Sequence, residues 1–160
     1  MEDKLFWLAL NMVSGVGPIA YRNLLARFQD PQGVFTASIR ELTAVEGIGE
    51  KTARAIKNFP VQQIAAEELK RAENLGVSIL TSRDKGYPQN LLQIHDPPPL
   101  LYVRGELKEG DSLAIAIVGS RKVSPYGRAM TKRISKELSA VGVTVVSGMA
   151  RGVDTFAHLG

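Results

Sequence analysis

Three stretches combine glycines with cations or a carboxylate at spacings suited to anion recognition. The first is Glu46-Gly47-Ile48-Gly49-Glu50-Lys51, leading into a helical run. Two glycines around one apolar residue let the backbone turn tightly and aim N–H groups outward at a helix start, where they can hold a phosphate. Lys51 adds a compact positive charge there. The second is Gly119-Ser120-Arg121-Lys122, which ends an apolar run and is followed by Tyr126 and Gly127. The Arg121 guanidinium is a planar fork that takes a pair of phosphate oxygens or stacks on a base. Tyr126 has two readings, a stacking face with a hydroxyl or a packed aromatic at a helix start, and Gly127 permits close approach. The third is Ser147-Gly148-Met149-Ala150-Arg151-Gly152-Val153-Asp154, a second glycine turn with a second arginine and a carboxylate. Asp154 reads as a helix cap in preference to a catalytic group. His158 follows on the same helical face as a lone structural histidine.

The elements that carry the last two turns are legible from pattern. Ala114 to Val118 and Val143 to Val146 are continuous apolar runs, the signature of strands buried on both faces. Between them Ser124-Pro125 opens a helix, with serine as N-cap and proline at the first helical position. A strand, a helix and a strand in that order lie parallel in one sheet. Both turns then open on the same sheet edge, where an open α/β sheet places its ligands. Residues 61–75 predict a helix, with Ile64, Ala65, Leu69, Ala72 and Leu75 at helical spacing and Gly76 as its stop. Val77 to Thr81 is expected as the first strand of the sheet and Leu100 to Val103 as a second.

Residues 4–13 and Ile19 to Phe28 have helical periods on either side of Ser14-Gly15-Val16-Gly17-Pro18. That turn repeats the one at Gly47 with an offset of 32 residues, aligning Gly15 with Gly47, Gly17 with Gly49, Arg22 with Arg54 and Leu24 with Ile56. The expected organisation is a paired helical domain over residues 1–60 and an α/β domain over residues 61–160.

Composition narrows the partners. Hydrophobic residues make up 44% and charged residues 22% of the 160, as in a globular protein. No apolar run approaches the ~18 residues of a membrane span, and the start lacks the basic flank of a secretory signal. Without cysteine there is no disulfide and no thiol chemistry. No metal-ligand cluster, dinucleotide fingerprint or P-loop is present, so no metal or cofactor is expected. The expected location is the cytoplasm. The net charge of +4 is uneven, because residues 113–160 hold seven Lys/Arg against two Asp/Glu. Positive charge on the segment that forms the sheet edge favours a polyanionic ligand. Lys132, Arg133 and Lys136 also fit a merely solvated helix face.

The turns at Gly15 and Gly47 resemble the helix-hairpin-helix DNA-binding motif. The second copy, EGIGEKTARAI, is the closer match, and the first has Ile19 where the second has Lys51. The resemblance makes Gly47, Gly49 and Lys51 phosphate contacts. The run AIAIVGSRKVSPYG, followed by SGMARGVDTFAH and preceded by YPQNLLQIHDPPPLLYVRGEL, resembles the DNA-processing protein A family, DprA or Smf. That resemblance implies a Rossmann-like, mostly parallel sheet after a variable helical domain, and a non-enzymatic role. It implies single-stranded DNA and the RecA recombinase as partners, in natural transformation. It makes Arg121 the leading DNA contact, with Gly119, Ser120 and Lys122 around it and Gly148, Arg151, Gly152 and Asp154 beside it. The family's sheet continues past the segment matched here, so the chain is expected to hold its first part. An uncovered sheet edge makes a second copy of the chain a further expected partner. An enzymatic alternative, a nucleotide phosphoribohydrolase of the LOG type, requires a Pro-Gly-Gly-x-Gly-Thr-x-x-Glu run that the sequence lacks. A protein-docking role for residues 1–60 is the third reading.

Overall fold

The computed structural model describes residues 2–160, with side chains from Lys4 onward. The chain forms two compact units, the first running through Glu106 and the second spanning Leu107–Gly160.

The first unit opens with α1 (Glu2–Met12), α2 (Pro18–Phe28), α3 (Pro31–Thr36), α4 (Ile39–Thr43) and α5 (Glu50–Lys57). The predicted repeat is present in the turn backbone and the buried positions. Gly15 and Gly47 both take left-handed φ, +89° and +83°. Gly17 and Gly49 are the N-caps of α2 and α5. Val16 N–H donates to Val13 O and Ile48 N–H to Val45 O, each at 3.1 Å. Leu10 and Leu42 are buried at equivalent positions, as are Leu24 and Ile56. These residues close one apolar core together with Trp7, Tyr21 and Val34.

A second core in the same unit gathers Leu5, Leu8 and Ala9 of α1 with Ala65, Ala72, Ile79 and Leu100. Its partners are a wide helical turn, Val61–Ala65, running into α6 (Ala66–Asn74), then β1 (Val77–Thr81), α7 (Gln89–Leu92) and β2 (Leu100–Arg104). The helix expected over residues 61–75 therefore begins as a π turn. Ala65 and Ala72 face the core, while Ile64 and Leu75, about a quarter turn round the helix on one side, are exposed. The division of the chain at Glu106 differs from the boundary expected near residue 60. α1 is apolar throughout Leu5 to Leu10, so it buries one side against the repeat and the other against α6, β1 and β2. Lys4 Nζ donates to Ile79 O at 2.7 Å, and Arg22 meets Asp96 at 3.1 Å, which tie early and late segments together.

The expected single sheet is two. β1 and β2 pair antiparallel from Val77↔Arg104 to Thr81↔Leu100, and Gly105, at φ +98°, ends that ribbon. In the second unit β3 (Ala114–Ala116) and β4 (Thr144–Val146) pair parallel, joined by α8 (Pro125–Ala140), and α9 (Val153–Leu159) follows. An all-α module followed by a parallel βαβ unit is the expected fold class. The strands, however, are not buried on both faces: Ile115 and Val146 are exposed. Among the described residues this sheet has only its two strands, so no third strand pairs with either edge.

Candidate nucleic-acid interface

The parallel pair carries its two glycine turns to one edge and packs them backbone to backbone. Val153 N–H donates to Ser120 O at 3.1 Å. Gly152, at φ +99°, lies so close to the first turn that a Cβ there would stand 2.3 Å from Ser120 O and 2.6 Å from Arg121 Cα. A Cβ on Gly119 would meet Val153 Cγ2 at 2.7 Å. These two glycines are required by close approach. Ser147 Oγ donates to Ile117 O at 2.7 Å and pins the ends of the two strands. Ser120 Oγ donates to Lys122 O at 2.8 Å and accepts from Lys122 N–H at 3.1 Å, which shapes the turn beneath Arg121.

Ser124 caps α8 as expected, its Oγ accepting from Gly127 N–H at 3.1 Å, with Pro125 at the first helical position. Gly127 lies against Val123, where a Cβ would fall 2.9 Å from Val123 Cγ1. The packed reading of Tyr126 is overturned, because its side chain is 74% exposed on the first turn of α8. Asp154 is not the cap of α9; Gly152 is. Asp154 is buried, accepts from Ala150 N–H at 3.3 Å and abuts Gly148, where a Cβ would lie 3.1 Å from its Oδ2. Its carboxylate holds the second turn in shape. His158, predicted on the same face, is exposed.

Arg121, Lys122 and Arg151 are exposed and make no side-chain hydrogen bond or ion pair among the described residues. The edge thus presents three unneutralised cations beside an exposed aromatic ring. That combination suits a flexible polyanion with stackable bases. Pattern reading missed Met149, which holds a left-handed φ of +56° and is 84% exposed between the pinned residues of the second turn. No sequence signal marks a methionine for that conformation. It also missed Phe156 of α9, which lies under Arg128 and Lys132 at 5.5 and 5.7 Å from its ring centroid. The four-residue spacing of the cations was legible, but the ring comes from another helix.

Gly47, Gly49 and Lys51 form a separate patch in the first unit. Gly49 caps α5 without a side-chain hydrogen bond, leaving the first N–H groups of the helix open. Lys51 is exposed and without a partner among the described residues, whereas Arg54 is held by Glu50 at 2.6 Å. In the first copy Arg22 is engaged by Asp96 and by His95 O. Among the described residues no group of three or more His, Asp or Glu gathers as a metal site. No helix there is long and apolar enough to cross a membrane.

Residues 78–160 match the family model for DNA recombination-mediator protein A, and residues 30–59 match the helix-hairpin-helix motif. Protein Smf of Synechocystis sp. is 33% identical over 98% of this chain and 40% of its own length. The DNA processing protein DprA of Bacillus subtilis is 35% identical over 52% of this chain and 28% of its own. The X-ray structure of DNA processing protein A from Streptococcus pneumoniae superposes with a TM-score of 0.69 at 22% identity, covering 99% of this chain and 53% of that one. The chain spans about two-fifths of the length of the Smf relative.

Proposed function

The chain belongs to the DNA recombination-mediator protein A family, and from that premise we propose that it binds single-stranded DNA as a non-catalytic mediator of recombination. The observation that carries this reading is the packed pair of glycine turns presenting Arg121, Lys122 and Arg151 without partners. Phosphates are neutralised by these cations, and a base stacks on Tyr126, worth ~1–3 kcal/mol per base. Ser120 shapes the turn, Gly119, Gly127, Gly148 and Gly152 allow its close packing, and Asp154 braces it. The relatives' names speak of DNA processing, which supports DNA as the ligand. The role in natural transformation, the handing of DNA to the RecA recombinase, self-association and a cytoplasmic location are extended from the family.

The helix-hairpin-helix patch adds phosphate contacts through Gly47, Gly49 and Lys51. Its support is the open start of α5 and the unpaired Lys51. The two matched segments lie on either side of residue 60, which supports inheritance of residues 1–60 and 61–160 as separate domains, although compactness divides the chain elsewhere.

The test is fluorescence anisotropy of labelled oligo-dT. Arg121→Ala removes a charge-assisted phosphate contact worth ~1.5–3 kcal/mol, so affinity is expected to fall about 10- to 100-fold. Parental affinity and an unchanged salt dependence in this variant would refute the assignment.

A further inference from the structure

Charge pairing on α8 is lopsided. Residues 113–160 hold two carboxylates. Glu137 binds Arg133 at 2.7 Å, and Asp154 is buried against Ala150 N–H. The other cations of the helix, Arg128, Lys132 and Lys136, have no carboxylate partner among the described residues. They recur every four residues and so form one row, while Arg133 and Glu137 occupy another.

Helix stability gives no reason for that row. Like charges four residues apart repel. Arg128 also sits in the second turn, near the positive end of the helix dipole. A run that breaks two local rules is expected where function requires it. The Phe156 ring holds Arg128 and Lys132 at 5.5 and 5.7 Å from its centroid. A ring face orients a cation by its quadrupole without neutralising it. Arg128 is further fixed by donation from Nε to Val123 O at 3.3 Å. The spacing also fits a strand of nucleic acid. Four residues of helix rise ~6 Å, close to two phosphates of a stacked strand at ~3.4 Å each.

We propose that Arg128, Lys132 and Lys136 form a phosphate track that continues the Arg121 turn along α8, so that single-stranded DNA leaves the glycine edge on this row. The track rests on the reading of that edge as the DNA site, and Arg121→Ala tests the edge separately. The experiment measures oligo-dT affinity of the whole 160-residue chain by anisotropy between roughly 50 and 200 mM salt. Each phosphate contact on a single strand contributes ~0.7 to the slope of log affinity against log salt. Lys132→Gln with Lys136→Gln is therefore expected to make the slope shallower by ~1.4, so the parent loses ~7-fold more affinity than the variant over that range. Arg133→Gln with Glu137→Gln, on the other row of the same helix, is expected to leave the slope unchanged. Both pairs are exposed, and circular dichroism checks that each variant is folded. An unchanged slope in the lysine pair, with Arg121→Ala still weakening binding, overturns the track and leaves the edge standing. An equal change in both pairs overturns the track as a specific path. A parent chain that binds no oligo-dT overturns both.

Discussion

Gly152→Ala strikes the contact that joins the two turns. The added Cβ would stand 2.3 Å from Ser120 O, 2.6 Å from Arg121 Cα and 2.8 Å from Arg121 C. All three are backbone atoms, so no rotamer relieves the clash. The Ser120–Arg121 peptide must retreat by roughly an ångström to restore ordinary contact at ~3.5 Å, and Arg121 moves with it. The backbone adds its own cost, because φ +99° with ψ −131° is a region nearly reserved for glycine, where an L-residue loses ~1–3 kcal/mol. Overpacking adds ~1–3 kcal/mol, for a total of about 2–6 kcal/mol. Gly142 carries positive-φ strain without overpacking, having φ +81° and nothing within 4 Å of a built Cβ. Gly142→Ala is expected to cost only the ~1–2 kcal/mol of backbone strain. Urea unfolding followed by amide exchange across residues 107–160 measures both variants in the unit concerned. Anisotropy on oligo-dT, under conditions where the variant remains folded, measures the displacement of Arg121. Equal destabilisation by the two substitutions would refute the packing argument. A destabilised Gly152→Ala protein with parental DNA affinity would refute the claim that this contact positions Arg121.

Tyr21→Phe tests the core of the paired helical module. The Tyr21 hydroxyl donates to Trp7 O at 3.0 Å in a buried setting, where burial pushes the phenol far above its ordinary value. Its removal deletes a second hydrogen bond on a carbonyl that keeps its partner within α1, and is expected to cost ~0.5–1.5 kcal/mol in urea unfolding; a cost near zero would show that this bond adds no net stability. Asp84 gives the first unit a dependence on acid. Partial burial alone would raise its carboxyl, but the Thr81 N–H and the Lys4 ammonium outweigh that and hold it below the usual carboxylate range. A depressed folded pKa means its contribution is complete above the unfolded value of ~3.9 and is lost as pH falls through the folded one. Urea midpoints taken through that window should fall with acid in the parent and fall less in Asp84→Asn. Parallel curves would remove Asp84 from the acid response.

The repeat and the two glycine turns were legible because each rests on neighbours in the chain. A glycine pair before a helical run, a Ser-Pro helix start and an apolar run before a turn are local statements. Parallel pairing of β3 and β4 followed from their helical connection alone. The extent of the first unit was not legible. The run Lys4 to Val13 reads as one apolar helix, but only packing reveals that α1 serves two cores at once. The exposure of β3 and β4 was misjudged for a related reason, since an apolar run records what a strand suits and not which layers cover it.

Sequence alone therefore supplied the candidate phosphate contacts: Arg121, Lys122 and Arg151 on glycine turns, with Lys51 on a helix start. The tertiary structure decided how they are held. It set Gly152 against the Ser120–Arg121 backbone, turned Asp154 inward as a brace, left Tyr126 in solvent and placed Phe156 beneath Arg128 and Lys132. Residue type and spacing set local conformation, whereas the contacts of Gly152 and Phe156 join residues 24 to 32 positions apart, and only the folded path of the chain brings such residues within reach.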